Sequence, residues 1–292
     1  MTNGTWIPAF AGMTGVTAGM TSVTAEMTSV TAGMTSVTAG KTNNGDEDDI
    51  RYHSPGRTMS AVRKSALVTG ASRGIGRAVS VRLAREGYDI VAIARNAAEL
   101  DTLRAEVGAA GGACRCIALD LTDGAAIAGA LADVDVDVLV NNAGIGITKP
   151  FVDLTPEEWQ QMIALNVNAL YHVTRAVLPA MLARGAGHVC TIGSISGRSA
   201  FVGGSCYAAT KAFVTAWAES LLLEVRERGV KVSVVAPGSV ATGFGGKTPT
   251  AADDWKLQPE DVADAVAYVV GTPPSVLLHR VEVRTLNSPP RR

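Results

Sequence analysis

Thr69-Gly70-Ala71-Ser72-Arg73-Gly74-Ile75-Gly76 is the stretch that decides how the rest of this chain is read. An apolar run, Ser65-Ala66-Leu67-Val68, leads into it, and a run with helical spacing, 77–86, leaves it before Gly87. Strand, glycine loop and helix in that order present a helix N-terminus, where unpaired N–H groups and the helix dipole favour an anion. Glycines let the backbone approach a pyrophosphate and the following helix where a β-carbon would collide. Alone, the pattern fits an ordinary strand–helix turn equally well, so its surroundings decide.

Those surroundings alternate. Apolar runs bounded by turn residues predict buried parallel strands at 66–69, 90–94, 116–119, 136–141, 188–192, 232–235 and 281–286. Helical patterns fall between them, near 75–86, 97–107, 123–132, 156–183, 206–228 and 259–270. Thr155-Pro156-Glu157-Glu158 reads as a capping box with proline at the first helical position, and Gly229 as a left-handed stop after Arg228. The expectation is α/β: a single doubly wound seven-stranded parallel sheet flanked by helices, with ligands at the carboxyl ends of its strands.

The polar stretches of the chain fall at those ends. The second strand runs into Ala94-Arg95-Asn96, with a base where dinucleotide folds that bind an unphosphorylated ribose carry an acid. Arg95 and Arg73 together suit a 2′-phosphate, which guanidinium groups bind through bidentate, charge-assisted bonds, so the pair points to NADP(H). The alternative is two solvated surface arginines. Asp120-Leu121 follows the third strand, its carboxylate an acceptor for an adenine amino group. Asn141-Asn142-Ala143-Gly144 ends the fourth, small enough for close backbone approach.

Asn166, Ser194 and Tyr207-Ala208-Ala209-Thr210-Lys211 come next. Tyr207 and Lys211 stand four apart and share one helix face, a plausible acid–base pair. A free tyrosine titrates near pH 10, and a neighbouring ammonium, with a cationic nicotinamide when the cofactor is oxidised, would favour the tyrosinate and lower that value. Ser194 is placed to donate to a substrate oxygen, and Asn166 to hold a water linking Lys211 to solvent. A tyrosine and lysine at this spacing are often plain helix surface; their position just beyond a strand end argues otherwise.

On these residues the chain resembles the short-chain dehydrogenase/reductase family, over residues 64–286. The matching positions are the 69–76 loop, Asp120, Asn141–Gly144, Asn166, Ser194, Tyr207, Lys211 and Pro237-Gly238-Ser239-Val240-Ala241-Thr242. The resemblance implies a Rossmann fold and an Asn166–Ser194–Tyr207–Lys211 tetrad, with NADP(H) as cofactor. Tyr207 would exchange a proton with the substrate oxygen, and Lys211 would also bind the nicotinamide ribose. Gly70, Ser72, Arg73, Gly74, Ile75, Gly76, Arg95, Asp120, Leu121, Asn142, Ala143 and Gly144 would line the cofactor. Pro237, Gly238, Val240 and Thr242 would flank the nicotinamide. It further implies a homodimer or homotetramer built through helices 156–183 and 206–228. The chain departs from the family pattern in the short, glycine-bearing segment 243–258, which in the family closes over the substrate, and in its ending soon after the last strand.

Composition sets the outer bounds. The chain has 292 residues, 47% hydrophobic and 18% charged, enough to bury a large core. A formal net charge of −1 gives no reason to expect a nucleic acid or an anionic membrane as partner. No apolar run reaches the ~18 residues of a membrane span, and the start lacks a secretory pattern. Four cysteines and four histidines show no metal-ligand spacing, and the thiols read as buried and reduced, which points to the cytoplasm. Residues 1–58 stand apart: Met13, Met20, Met27 and Met34 recur every seven residues in near-copies of Met-Thr-Ser-Val-Thr-Ala-Gly. Poor helix formers and missing charge pairs argue for disorder there rather than a coiled coil, and Met59 is a candidate true start for a domain of residues 59–292.

The expected activity is hydride transfer between NADP(H) and a carbonyl or secondary alcohol, reducing a ketone such as a 3-oxoacyl thioester. Ile195, Phe201, Val202, Phe244 and Trp255 are candidates to line the substrate pocket with Ser194. Lys149, Arg198 and Lys247 are candidates for a basic rim that would receive an acidic carrier protein. The competing readings are an NADP(H)-binding regulator without turnover and a protein whose working part is the N-terminal repeat.

Overall fold

The computed structural model describes residues 63–246 and 250–287. The readings made of residues 1–58, of Met59 and of Lys247 lie outside them. Seven strands form one parallel sheet: β1 (Lys64–Thr69), β2 (Tyr88–Ala94), β3 (Cys114–Ala118), β4 (Val138–Asn141), β5 (Gly187–Ile192), β6 (Val230–Pro237) and β7 (Arg280–Val283). Their order is β3-β2-β1-β4-β5-β6-β7, as expected of a doubly wound sheet. The chain reverses direction across the sheet between β1 and β4, so a crevice opens at their carboxyl ends.

Burial explains why the central strands read as continuous apolar runs. Ala66, Leu67 and Val68 of β1 are each 0% exposed, because helices cover both faces. Val68 packs with α1 (Gly74–Arg85), α2 (Ala97–Ala109) and α7 (Pro259–Val270) on one side of the sheet. Leu67 packs with α3 (Gly124–Ala130), α5 (Ala169–Arg184) and α6 (Ser205–Val225) on the other. Side chains of this size contribute about 1.5–3 kcal/mol each when fully buried.

Local signals start and stop the helices. Asn96 and Asp123 cap α2 and α3 by accepting from backbone N–H groups. Thr155 and Glu158 form the expected capping box on α4 (Pro156–Ile163). Gly229 adopts φ 77°, the left-handed stop that ends the segment after a short 226–228 turn. The expected single helix 156–183 is interrupted: residues 164–168 form a π turn between α4 and α5, with Asn166 inside it. The expected helix 206–228 ends its α-helical part at Val225, and the last strand stops at Val283 rather than at 286. Among the described residues no helix is long and apolar enough to cross a membrane. Cys190 and Cys206 are buried as expected, but Cys114 and Cys116 are only half-buried.

Candidate active site

The carboxyl ends of β1, β2, β4, β5 and β6, and the residues that follow β3, meet at one cleft of about 630 Å³. Its floor at the β1 end is the glycine loop. Gly70 and Gly74 hold φ 64° and 55°, values that a side chain resists. Gly76 lies behind the loop, where a β-carbon would meet the Gly70 carbonyl oxygen at 2.4 Å and Asn142 Nδ2 at 2.5 Å. Asn142 Nδ2 donates to the carbonyls of Thr69 (2.8 Å) and Gly70 (3.2 Å). The backbone N–H groups of Asn142 and Ala143 donate to Thr69 Oγ1 at 2.9 and 3.0 Å. The β1 and β4 ends are thus tied together under the start of α1, whose first N–H groups have no helical partner.

At the neighbouring β2 end, Arg73 and Arg95 are exposed side chains on the cleft wall. Asp120 accepts from both the N–H and the hydroxyl of Thr122, each at 2.9 Å. Those two bonds, with Arg95 nearby, hold its carboxyl below the usual range. Leu121 beside it is buried. A pyrophosphate cradle that β-carbons would fill, next to two guanidinium groups, fits a phosphorylated dinucleotide.

On the β5 side of the switch point the cleft is lined by Ser194, Tyr207 and Lys211, with Pro237, Gly238, Val240 and Thr242 beyond. Ser194 follows β5 and caps the 195–197 turn through a 3.1 Å bond from the Ser196 N–H. Lys211 is buried, donates to the Ile192 carbonyl at 2.9 Å, and lies 6.0 Å from the centre of the Tyr207 ring. Burial holds its ammonium down to about 8. The chain's own residues do not by themselves lower the Tyr207 pKa. Burial raises it, and the Ser194 hydroxyl is the one neighbour that opposes the rise. Lys211 makes no direct bond to the phenol and acts on it only through its charge at a distance.

Asn166 is bonded to the protein on both sides of its amide. Its Oδ1 accepts from the Ile145 N–H at 2.9 Å, and its Nδ2 donates to the Ile145 carbonyl at 2.8 Å and to Thr210 Oγ1 at 3.0 Å. With these bonds the side chain clamps the Ile145 backbone against Thr210. Among the predicted site residues Gly76 and Asn166 stand behind the cleft, and the others line it.

Of the predicted pocket residues only Ser194 and Phe244 face the cleft; Ile195, Phe201, Val202 and Trp255 do not line it. Phe201 packs against Gly204 instead, and Val202 is 94% exposed. Where the basic rim is described its two cations are paired: Lys149 with Glu158, and Arg198 at 3.1 Å with Glu282, a carboxylate it shares with Arg284. Gln161, Leu165 and Ile145 line the cleft unforeseen. Gln161 lies on α4, whose phase the Thr155 capping box fixes, while Leu165 falls in the π turn that follows. Among the described residues no cluster of side chains suits a metal ion.

The short chain dehydrogenase family model matches residues 64–253. The chain belongs to that family. The chain is 34% identical to NADP-dependent 3-hydroxy acid dehydrogenase YdfG of Escherichia coli, over 74% of this chain and 93% of that one. It is 33% identical to glycine betaine reductase ATRR of Emericella nidulans over 77% of this chain, but spans only 19% of that longer protein. Among solved structures it resembles the closed form of serine dehydrogenase complexed with NADP+, with a TM-score of 0.70 at 34% identity, covering 75% of this chain and 94% of that one.

Proposed function

We propose that this NADP(H)-dependent oxidoreductase reduces a small ketone to a secondary alcohol, and oxidises the alcohol in reverse, using Asn166, Ser194, Tyr207 and Lys211. The observation that carries the reading is the convergence of a half-buried phenol, a serine hydroxyl and a buried ammonium in the cleft that holds the glycine loop. When bound, the reduced nicotinamide supplies the hydride.

The residues do the rest. Tyr207, kept neutral by burial, gives its proton to the carbonyl oxygen as charge builds there. Ser194 donates a hydrogen bond to the same oxygen. Lys211 supplies positive charge behind the phenol that favours the tyrosinate left after transfer. Asn166 is a positioning residue, fixing Ile145 along the cleft. Gly70, Ser72, Gly74, Ile75 and Gly76 form the pyrophosphate cradle, and Arg73 and Arg95 take the 2′-phosphate. Asp120 and Leu121 border the adenine, and Asn142, Ala143 and Gly144 lie along the cofactor. Pro237, Gly238, Val240 and Thr242 flank the nicotinamide.

The relatives' names make small 3-oxo and 3-hydroxy acids the first compounds to try. The pairing of Lys149 and Arg198 with carboxylates weighs against an acidic carrier protein. The test is loss of NADPH absorbance with simple ketones, 3-oxo acids and 3-oxoacyl thioesters, and its gain from NADP+ with 3-hydroxy acids. Turnover with a small ketone or 3-oxo acid is expected. Tight NADPH binding with no turnover across the panel would overturn the reading in favour of a non-catalytic NADP(H)-binding regulator.

We also propose a cytoplasmic homodimer or homotetramer formed through α4–α5 and α6. Tyr171 on α5 and Phe213 and Leu223 on α6 are large apolar side chains left exposed on these helices. Sedimentation equilibrium returning a monomer at micromolar concentration would refute it.

A further inference from the structure

Cys114 and Cys116 take no part in the reaction derived above, yet their sulfurs lie 3.6 Å apart. They alternate with the exposed Arg115 on β3, so both side chains leave the same face of the strand, toward α2. Cys116 Sγ donates to the Leu100 carbonyl of α2 at 3.3 Å. Both are half-buried, within reach of small solutes, whereas Cys190 and Cys206 are buried. β3 is an edge strand, hydrogen-bonded to β2 alone, so its backbone is held from one side only.

The same strand leads straight into the cofactor cleft. Ala118 pairs with Ala94, and the Leu119 N–H donates to the Ala94 carbonyl at 2.9 Å. Ala94, Arg95, Leu119, Asp120 and Leu121 all line the cleft.

We propose that Cys114 and Cys116 are a dithiol modification site, oxidised by hydroperoxides to an intrastrand disulfide that loosens the adenosine end of the cofactor cleft. The second part rests on the reading of that cleft as an NADP(H) site. Burial and the adjacent sulfur hold the proton on Cys114, up to about 12; the route that begins at Cys116 and its mirror image beginning at Cys114 give the same bridge. Cys116 sulfur attacks one oxygen of hydrogen peroxide; the O–O bond breaks, giving the Cys116 sulfenic acid and one water. Cys114 sulfur then attacks the sulfenic sulfur. The S–S bond forms, the S–O bond breaks, and the second water leaves with the Cys114 proton. Each cysteine gives up one electron, and the peroxide takes both.

Residues two apart on a strand have Cα atoms ~6.6 Å apart, near the upper edge of the ~4.4–6.8 Å that a disulfide spans. Closing the bridge therefore puckers β3 and takes Cys116 from the Leu100 carbonyl. A bridge under such strain is readily reduced, as a reversible site requires.

The test exposes the full chain to hydrogen peroxide, then measures intact mass, a non-reducing peptide map and NADPH affinity. Expected are loss of two hydrogens, a Cys114–Cys116 cross-link, an NADPH Kd raised about tenfold, and recovery of all three with dithiothreitol. Cys114→Ser and Cys116→Ser should each abolish the cross-link and the affinity change. Both thiols still open to iodoacetamide after peroxide would overturn the site. A cross-link with unchanged Kd would overturn its effect on the cleft. Reduced protein that fails to bind NADPH would refute the cofactor reading, and the mass measurements would still judge the dithiol alone.

Discussion

Gly76→Ala tests how the cradle is built, because one methyl group meets two structures at once. The added carbon would lie 2.4 Å from the Gly70 oxygen and 2.5 Å from Asn142 Nδ2, about 1 Å inside ordinary contact. Neither neighbour yields cheaply. The Gly70 oxygen is backbone, and the Asn142 amide is held by its bonds to Thr69 and Gly70. Losing those bonds costs about 1 kcal/mol each, and overpacking adds about 1–3 kcal/mol. A total of about 3–5 kcal/mol should lower the thermal midpoint by about 6–20 °C. NADPH affinity should fall at least about thirtyfold, since the same loop is the anion site. Gly129→Ala is the internal control. Gly129 is a helical residue of α3 with nothing within 4 Å of an added β-carbon, so alanine should stabilise by about 0.5–1 kcal/mol. Calorimetry with fluorescence titration of NADPH reads both variants. A Gly76→Ala protein with unchanged midpoint and NADPH affinity within threefold would refute the reasoning.

Further outcomes are expected. His188 is buried with its titration held down to about 4 from 6.5; the unfolded chain takes the proton first as pH falls, so stability is full above 6.5 and drops by about 1.4 kcal/mol per unit toward 4. Urea unfolding of wild type and His188→Asn between pH 7 and 5 checks this, and parallel loss in both would contradict it. Arg95→Glu should raise the NADPH Kd by about tenfold or more while leaving NADH binding intact, because a charge-assisted bond of about 1.5–3 kcal/mol goes with the 2′-phosphate. Gly146→Ala would put a methyl 2.6 Å from Phe244 Cε1 and 3.1 Å from Tyr207 Cδ2. Displacing that ring should raise KM for the ketone while sparing NADPH affinity, as steady-state kinetics would show.

The sequence carried the sheet and the cradle because both rest on local rules. Apolar runs such as 66–68 need a fully buried strand, and glycine at 70 and 74 meets a positive φ that other residues resist. What it did not carry depends on distant contacts. The π turn at 164–168 leaves no mark in a helical pattern, since only packing against Ile145 and Thr210 shows why Asn166 sits there. The rise in the Tyr207 pKa is likewise set by the walls around it, although the four-residue spacing to Lys211 was plain. Phe201 and Val202 are apolar beside the site, and apolarity alone does not say which way a loop turns its side chains.

The central claim is that Tyr207 moves the proton in an otherwise intact NADP(H) site. The direct measurement is single-turnover reduction of the best ketone by Tyr207→Phe, with NADPH affinity measured on the same sample. Removing one hydroxyl from the acid should slow the chemical step by at least about 10²-fold and leave NADPH affinity within about threefold of wild type. A variant that binds NADPH normally and reduces the ketone at the wild-type rate would contradict the account.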